Sequence, residues 1–565
     1  MDAGVVELRG DAVRFTHPLL RSAVYYGAPQ PRRMRLHRRL AEFELPLEER
    51  ALHLALVATA PDDATASVLE EAAREAARRG ATAAAAALAG HAVRLSDPDA
   101  AEAIRRRRYL AADACWASGN VDRARTELEA IIEAAPPGPI RGQALLRLAT
   151  YPGDPLNNRQ LCEEALQHTE QNLALRSDVL LFLASWVFDA HAGRDGDELL
   201  AQAIEAASAI GDDVRRTRAE ISRAFWAWVR GRAFDRAVLD RAAEVDACLA
   251  TQHPSTEERA LYARAIVLAG TLEIASARDA WLELERIAVD TGDETLRADV
   301  LNALARLEYA AGNRQKGAEL SRAAMELAEQ TGPALASVLV DAALHAALGG
   351  EVELARDCAA RCLDLVSRAR DPWAAARARW VVAFLALSLG DAAEAARQID
   401  QAIGVAYDMG FWGVGERFLP VGVEAVLGQG DIARADRLTC RLEELAGEAG
   451  IDTYRVDALR CRALVAAARH DLDGALVSAH QATTMAGRLP VPFNRGWTLL
   501  ALGAIQRRAR QRRAARETLQ AALAIFESLA APLWAERARN EIARIGGRAA
   551  SPRELTPTEE RVACL

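Results

Sequence analysis

From Gly231 onward a turn-forming residue recurs at positions 231, 270, 312, 350, 390, 430, 470 and 510, at intervals of 39, 42, 38, 40, 40, 40 and 40. Such a period means one supersecondary unit stacked along the chain, because a unit of that size cannot bury its apolar face alone. Most of these turns read Gly-Asp or a close variant, as in Gly390-Asp391 and Gly430-Asp431, and Gly80 and Gly119-Asn120 repeat the mark upstream. Two columns keep step with the turn. Seven residues before it stand Ala73, Ala112, Ala224, Ala263, Ala305, Ala343, Ala383, Val423, Ala463 and Gly503; five residues after it the chain is again mostly Ala, as at Ala355, Ala395, Ala435, Ala475 and Ala515. Small side chains there let two antiparallel helices approach closely, and a Gly at the turn supplies the left-handed angles of a helix C-terminus. A second mark, at Gly292, Gly332-Pro333, Asp371-Pro372, Gly410, Gly450, Pro490 and Pro532, ends the other helix of each unit.

The unit is therefore helix, turn, helix, turn. Its spacing resembles the tetratricopeptide repeat, lengthened to about 40 residues. The expected fold class is all-α: a tetratricopeptide-like helical solenoid. The stretch 136–197 fits the period poorly and is expected to hold two irregular repeats after the Pro136-Pro137-Gly138-Pro139 break. A chain of 565 residues with 51% hydrophobic but only 5% aromatic residues agrees with closely packed helices.

Several chemistries are excluded by what is missing. Lys316 is the single lysine and lies in Gly312-Asn-Arg-Gln-Lys-Gly317, which is not a P-loop, so no ATP site is expected within the chain. There is no Gly-x-Ser-x-Gly, no His-Glu-x-x-His and no CxxC pair; no catalysis, metal or other cofactor is expected. Cys358 and Cys362 read as buried thiols. A formal net charge of −9 argues against a chain-wide nucleic-acid surface. With no signal peptide and no membrane-length apolar run, the expected location is cytoplasmic. The arginine clusters 32–39, 105–108 and 507–516 lack interleaved aromatics; the last reads as a solvated turn.

Both ends carry further wording. Residues 5–15 read as two short strands around Arg9-Gly10-Asp11, followed by Phe15-Thr-His-Pro-Leu-Leu-Arg-Ser-Ala-Val-Tyr25 and Arg35-Leu-His-Arg-Arg-Leu-Ala41. At the other end, Leu555-Thr-Pro-Thr-Glu-Glu-Arg-Val-Ala-Cys-Leu565 opens with Thr556 as cap, Pro557 at the first helical position and Glu559 three residues on. The first pair of segments resembles the winged-helix part of the ATPase module in large ATP-binding LuxR-type transcription regulators. The last resembles the start of their helix-turn-helix domain. The resemblance implies 1–60 as a winged-helix remnant, 61–548 as a tetratricopeptide-like sensor and 549–565 as a linker with the first residues of a truncated helix-turn-helix. It further implies ATP bound upstream in an intact parent, with His17 sensing nucleotide there. DNA would be contacted only beyond Leu565, and the intact protein would self-associate.

In a tetratricopeptide-like array the first helix of each unit lines the concave groove. Offsets of about ten, six and three residues before the turn select Phe225, Trp228, Asn302, Arg306, Tyr309, Trp380 and Phe384 as candidate effector-binding residues. Exposed rings in a groove invite a sugar, peptide or aromatic metabolite; rings packed between repeats are the plainer alternative. The expected function is capture of a small-molecule effector or regulatory protein that controls DNA binding by the intact regulator. The rival expectation is a stand-alone scaffold for protein partners.

Overall fold

The computed structural model describes residues 6–9, 12–15, 18–150, 155–189, 193–249, 260–332, 334–369 and 372–545. His17 and the 549–565 segment lie outside them, as do Pro333 and Asp371. The described residues are overwhelmingly α-helical and divide into two compact units, Met1–Leu175 and Arg176–Leu565.

The first unit opens with an antiparallel hairpin, Val6–Arg9 against Ala12–Phe15, in which Val6 pairs with Phe15 and Arg9 with Ala12. Helices Pro18–Gly27, Gln30–Leu40 and Leu47–Val57 follow, then the pairs Asp63–Arg78/Thr82–Leu95, Ala101–Ala117/Val121–Ala134 and Pro139–Ala149/Pro155–Leu166. The second unit continues with helix pairs, among them Asp213–Val229/Ala237–Leu249, Glu294–Ala310/Arg314–Thr331, Pro372–Leu389/Ala392–Met409 and Pro492–Arg508/Arg512–Ser528, and closes on the single helix Pro532–Ile545. Within 136–197 the described residues form the helices Pro139–Ala149, Pro155–Leu166 and Leu173–Asp189 and the start of Gly193–Ala209.

The turns work as the sequence implies, with one correction. Gly312, Gly350, Gly390 and Gly430 have φ of 88°, 77°, 85° and 85°, and the second helices begin two residues later, at Arg314, Val352, Ala392 and Ile432. Asp391, Asp431 and Asp471 each accept a hydrogen bond from the backbone N–H three residues on, which satisfies a helix N-terminus. In the second repeat, however, the left-handed residue is Leu272 at φ 64°, not Gly270. This register is more even than the one read from glycines. It also places Ala265 and Ala277 in the small-residue columns, both fully buried. Gly270 is small for another reason: a Cβ there would overlap the Trp228 indole.

Within the second unit the array returns against itself. The Gly231 turn meets Gly413, the Gly312 turn meets Pro492 and Leu529, and Gly350 meets Pro532. The glycine contacts with Gly413, Pro492 and Pro532 join points roughly 180 residues apart, about four and a half repeats, so small rotations between neighbouring pairs accumulate to a full circuit. A Cβ on Gly413 would overlap the Trp228 carbonyl oxygen, and one on Gly350 would lie 2.5 Å from Pro532 Cγ. Ala233 N donates to Glu448 O at 3.1 Å, and Arg314 donates to Ala530 O across the same seam. The first helices of successive pairs thereby enclose a central space.

Candidate functional site

That space is a cavity of about 370 Å³, lined from Trp228 to Trp497 by the inner helices of the second unit. Five of the seven residues selected from the sequence line it: Trp228, Arg306, Tyr309, Trp380 and Phe384. The other two do not. Phe225 packs on Trp226 and Trp228, with ring centroids 5.1 and 6.2 Å away. Asn302 is 2% exposed and lies behind the wall, its Nδ2 donating to Asp341 Oδ2 at 2.8 Å.

The rings are less exposed than a groove reading requires. Trp380 is 8% and Phe384 3% exposed, so each ring has one edge at the cavity and the rest in the core. Trp380 Nε1 donates to the Arg417 carbonyl at 3.1 Å, and Phe384 stacks on Trp534 at 5.5 Å. Phe493 and Trp497 come to the same wall from more than a hundred residues downstream, 6.0 and 6.1 Å from Phe384. The fixed offsets could not find them, because the cavity crosses successive helices at drifting heights. Tyr309 stands three residues before its left-handed turn residue Gly312, whereas Tyr454 stands sixteen before His470.

Polar groups gather at one part of the wall. Asp341 accepts from Arg377 Nη2 at 2.8 Å and from Asn302, and Arg306 Nη1 lies 3.5 Å from it. Burial alone would raise the Asp341 carboxyl, but Arg377 and Arg306 outweigh it and hold it below the usual carboxylate range. His345 stacks on Tyr309 with centroids 3.5 Å apart and planes 18° from parallel. Burial pushes this imidazole down to about 3, so it is neutral at physiological pH. Its Nδ1 has no hydrogen-bond partner.

Glu416 and Arg417 sit at the break between the short helix Trp412–Gly415 and the helix Phe418–Gly428. Burial and then the neighbouring Asp457 carboxylate push Glu416 well above the ordinary range, which favours its neutral form. Asp457 itself lies 2.7 Å from Arg460, whose guanidinium covers the Trp497 ring at 3.9 Å. Arg417 lies over the Trp380 ring at 5.5 Å. Burial in the surrounding helices pushes its guanidinium below the usual range; Glu416 opposes that, while Arg377 and Arg306 add to it. Among the described residues its side chain makes no hydrogen bond and no ion pair.

Among the described residues no group of three or more His, Cys, Asp or Glu side chains could hold a metal, and no helix is long and apolar enough to cross a membrane. Cys358 and Cys362 are both buried, 3% and 0% exposed. Of the arginine cluster 105–108, Arg107 is fully buried.

No known protein family matches the sequence, and no curated protein matches it. Solved structures resemble it in backbone. The crystal structure of the APC/C hetero-tetramer Cut9–Hcn1 is 14% identical, with 93% of this chain and 96% of that one covered at a TM-score of 0.48. A Rap protein complexed with competence and sporulation factor is 11% identical over 68% and 98%, at 0.43. Yeast Tom70 is 11% identical over 79% and 97%, at 0.36. Likenesses this distant carry no argument about function. The helical-repeat architecture rests on the chain's own helix pairs.

Proposed function

We propose that this chain is the sensing portion of a LuxR-type, ATP-binding transcription regulator, and that its second unit captures an effector in the central cavity. The observation that carries the sensing part is the cavity itself: the inner helices bring apolar rings and a few convergent polar groups around one half-open space, as small-molecule sites generally do. The regulator part rests on the wording of the two ends, residues 15–41 and 555–565. In this reading 1–60 derives from a winged helix, ATP is held by a module outside these residues, and DNA is read beyond Leu565. Capture would stabilise one arrangement of the array over another, which is how a ligand shifts an equilibrium between states.

The coding sequence on both sides tests the regulator reading most cheaply. A P-loop module upstream and a completed helix-turn-helix downstream are expected. If neither is encoded, the reading falls and a scaffold that holds partner proteins replaces it. The sensing part is tested separately with Tyr309→Ala. This residue is half-buried at the cavity wall. Loss of effector response by the intact protein, with its melting temperature nearly kept, is the expected result; an unchanged response removes the cavity from the mechanism.

A further inference from the structure

The proposed sensing role leaves open what chemistry the cavity accepts, and its charges narrow the choice. Arg306 and Arg417 both line it. The buried carboxylate Asp341 is already engaged by Arg377 Nη2 at 2.8 Å and Asn302 Nδ2 at 2.8 Å, leaving Arg306 a looser contact at 3.5 Å, and the buried Glu416, which also lines the cavity, is pushed toward its neutral form by burial and Asp457. Asp457 is engaged by Arg460 at 2.7 Å. Arg417 is exposed to this space and, among the described residues, its guanidinium makes no hydrogen bond or ion pair, so it is open to an incoming carboxylate. A second, independent sign is the buried His345, which also lines the cavity and whose Nδ1 is without a partner. Beside these groups the wall is aromatic: Trp380, Phe384, Phe493 and Trp497.

We infer that the cavity takes a small molecule with one carboxylate on a flat aromatic body, the carboxylate held by Arg417 and Arg306 and the rings by Trp380 and Phe384. A guanidinium meets a carboxylate with two parallel N–H donors, which a neutral amide or an amine cannot match. The cavity volume, about 370 Å³, sits at the small end of the range for ligand sites and suits one or two fused rings better than a peptide. This inference rests on the sensing role proposed for the same cavity.

A matched series of naphthalene-2-carboxylate, naphthalene-2-carboxamide and 2-naphthylmethylamine tests it, with binding to the 565-residue chain followed by tryptophan fluorescence and calorimetry. The carboxylate should bind roughly tenfold or more tighter than the amide, as for a charge-assisted hydrogen-bonded pair. Arg417→Gln should abolish that preference while circular dichroism and melting temperature stay near those of the parent, and Arg417→Lys should keep part of it. Equal binding of all three naphthalenes, sensitive to Trp380→Phe, would overturn the carboxylate assignment while keeping the cavity as a site. A carboxylate preference unchanged in both Arg417→Gln and Arg306→Gln would place the anion elsewhere and also overturn it. Absence of binding by every member at millimolar concentration would overturn both this inference and the sensing role on which it rests.

Discussion

The two units place their arginines differently. In the first, Arg107 is fully buried yet satisfied: Nε donates to Glu70 at 3.0 Å, Nη1 to Asp63 and to Ser96 Oγ, and Nη2 to Ser67 Oγ at 2.9 Å. Glu70 is in turn held by Arg74 and Arg106. Every donor aimed inward meets an acceptor, so the network fixes how three neighbouring helices pack and offers nothing to a ligand. In the second unit, Arg417 is exposed, has no such partner and lines a cavity. The same side chain is a structural bolt where its acceptors are built in and a candidate binding group where they are missing. Burial within a complete polar network separates the first role from the second.

The largest effect that could break this contrast is at Arg107. Arg107→Ala removes one partner from a buried ionic network and should destabilise the protein by about 3–5 kcal/mol. Chemical denaturation measures it, and a loss under 1 kcal/mol would mean that the network is not what holds these helices.

The second test addresses the seam that closes the cavity. Gly413→Ala should cost about 1–3 kcal/mol, because the new methyl collides with the Trp228 backbone. Gly447→Ala, in the helix Ile432–Ala449 with open space around it, should instead stabilise by about 0.5–1 kcal/mol. If the two substitutions behaved alike, the close approach at the seam would be wrong.

The third concerns pH. His345 has a folded pKa of about 3 against an unfolded value of 6.5, so the unfolded chain binds more protons between those limits. Its contribution is full above the unfolded pKa and is lost on acidification, with a slope of at most about 1.4 kcal/mol per pH unit. Glu416, raised by burial, works in the opposite sense: its contribution is present below its unfolded pKa and shrinks as pH rises. Comparing parent and His345→Asn at pH 6 and pH 5 isolates the histidine. The parent should lose more stability than the variant over that step; parallel slopes would show that His345 titrates normally.

The smallest effect is expected at Arg417 itself. With no partner to strand, Arg417→Gln should change stability by less than about 1 kcal/mol, in contrast to Arg107. A loss as large as that of Arg107→Ala would reveal a structural role and erase the distinction between the units.

The sequence by itself determined the helix pairs, their period and most of their turns. Those features follow from local rules: hydrogen bonding within a helix, the left-handed angles of Gly350 or Gly390, the cap at Asp391, and small residues such as Ala343 and Ala383 at each crossing. Where glycine and the left-handed position parted company, at Gly270 and Leu272, composition misled, because that glycine yields room to Trp228 across the fold. Only the tertiary structure decided which inner-facing residues share one space. It left Phe225 and Asn302 behind the wall and brought Arg417, Phe493 and Trp497 to it. Membership depends on the small rotation between successive pairs, summed over four to five repeats, and that angle is set by side-chain packing along the whole array rather than by any one segment. A fixed offset from the turn can name the inner face of each helix; it cannot say at what height the returning array will cross it.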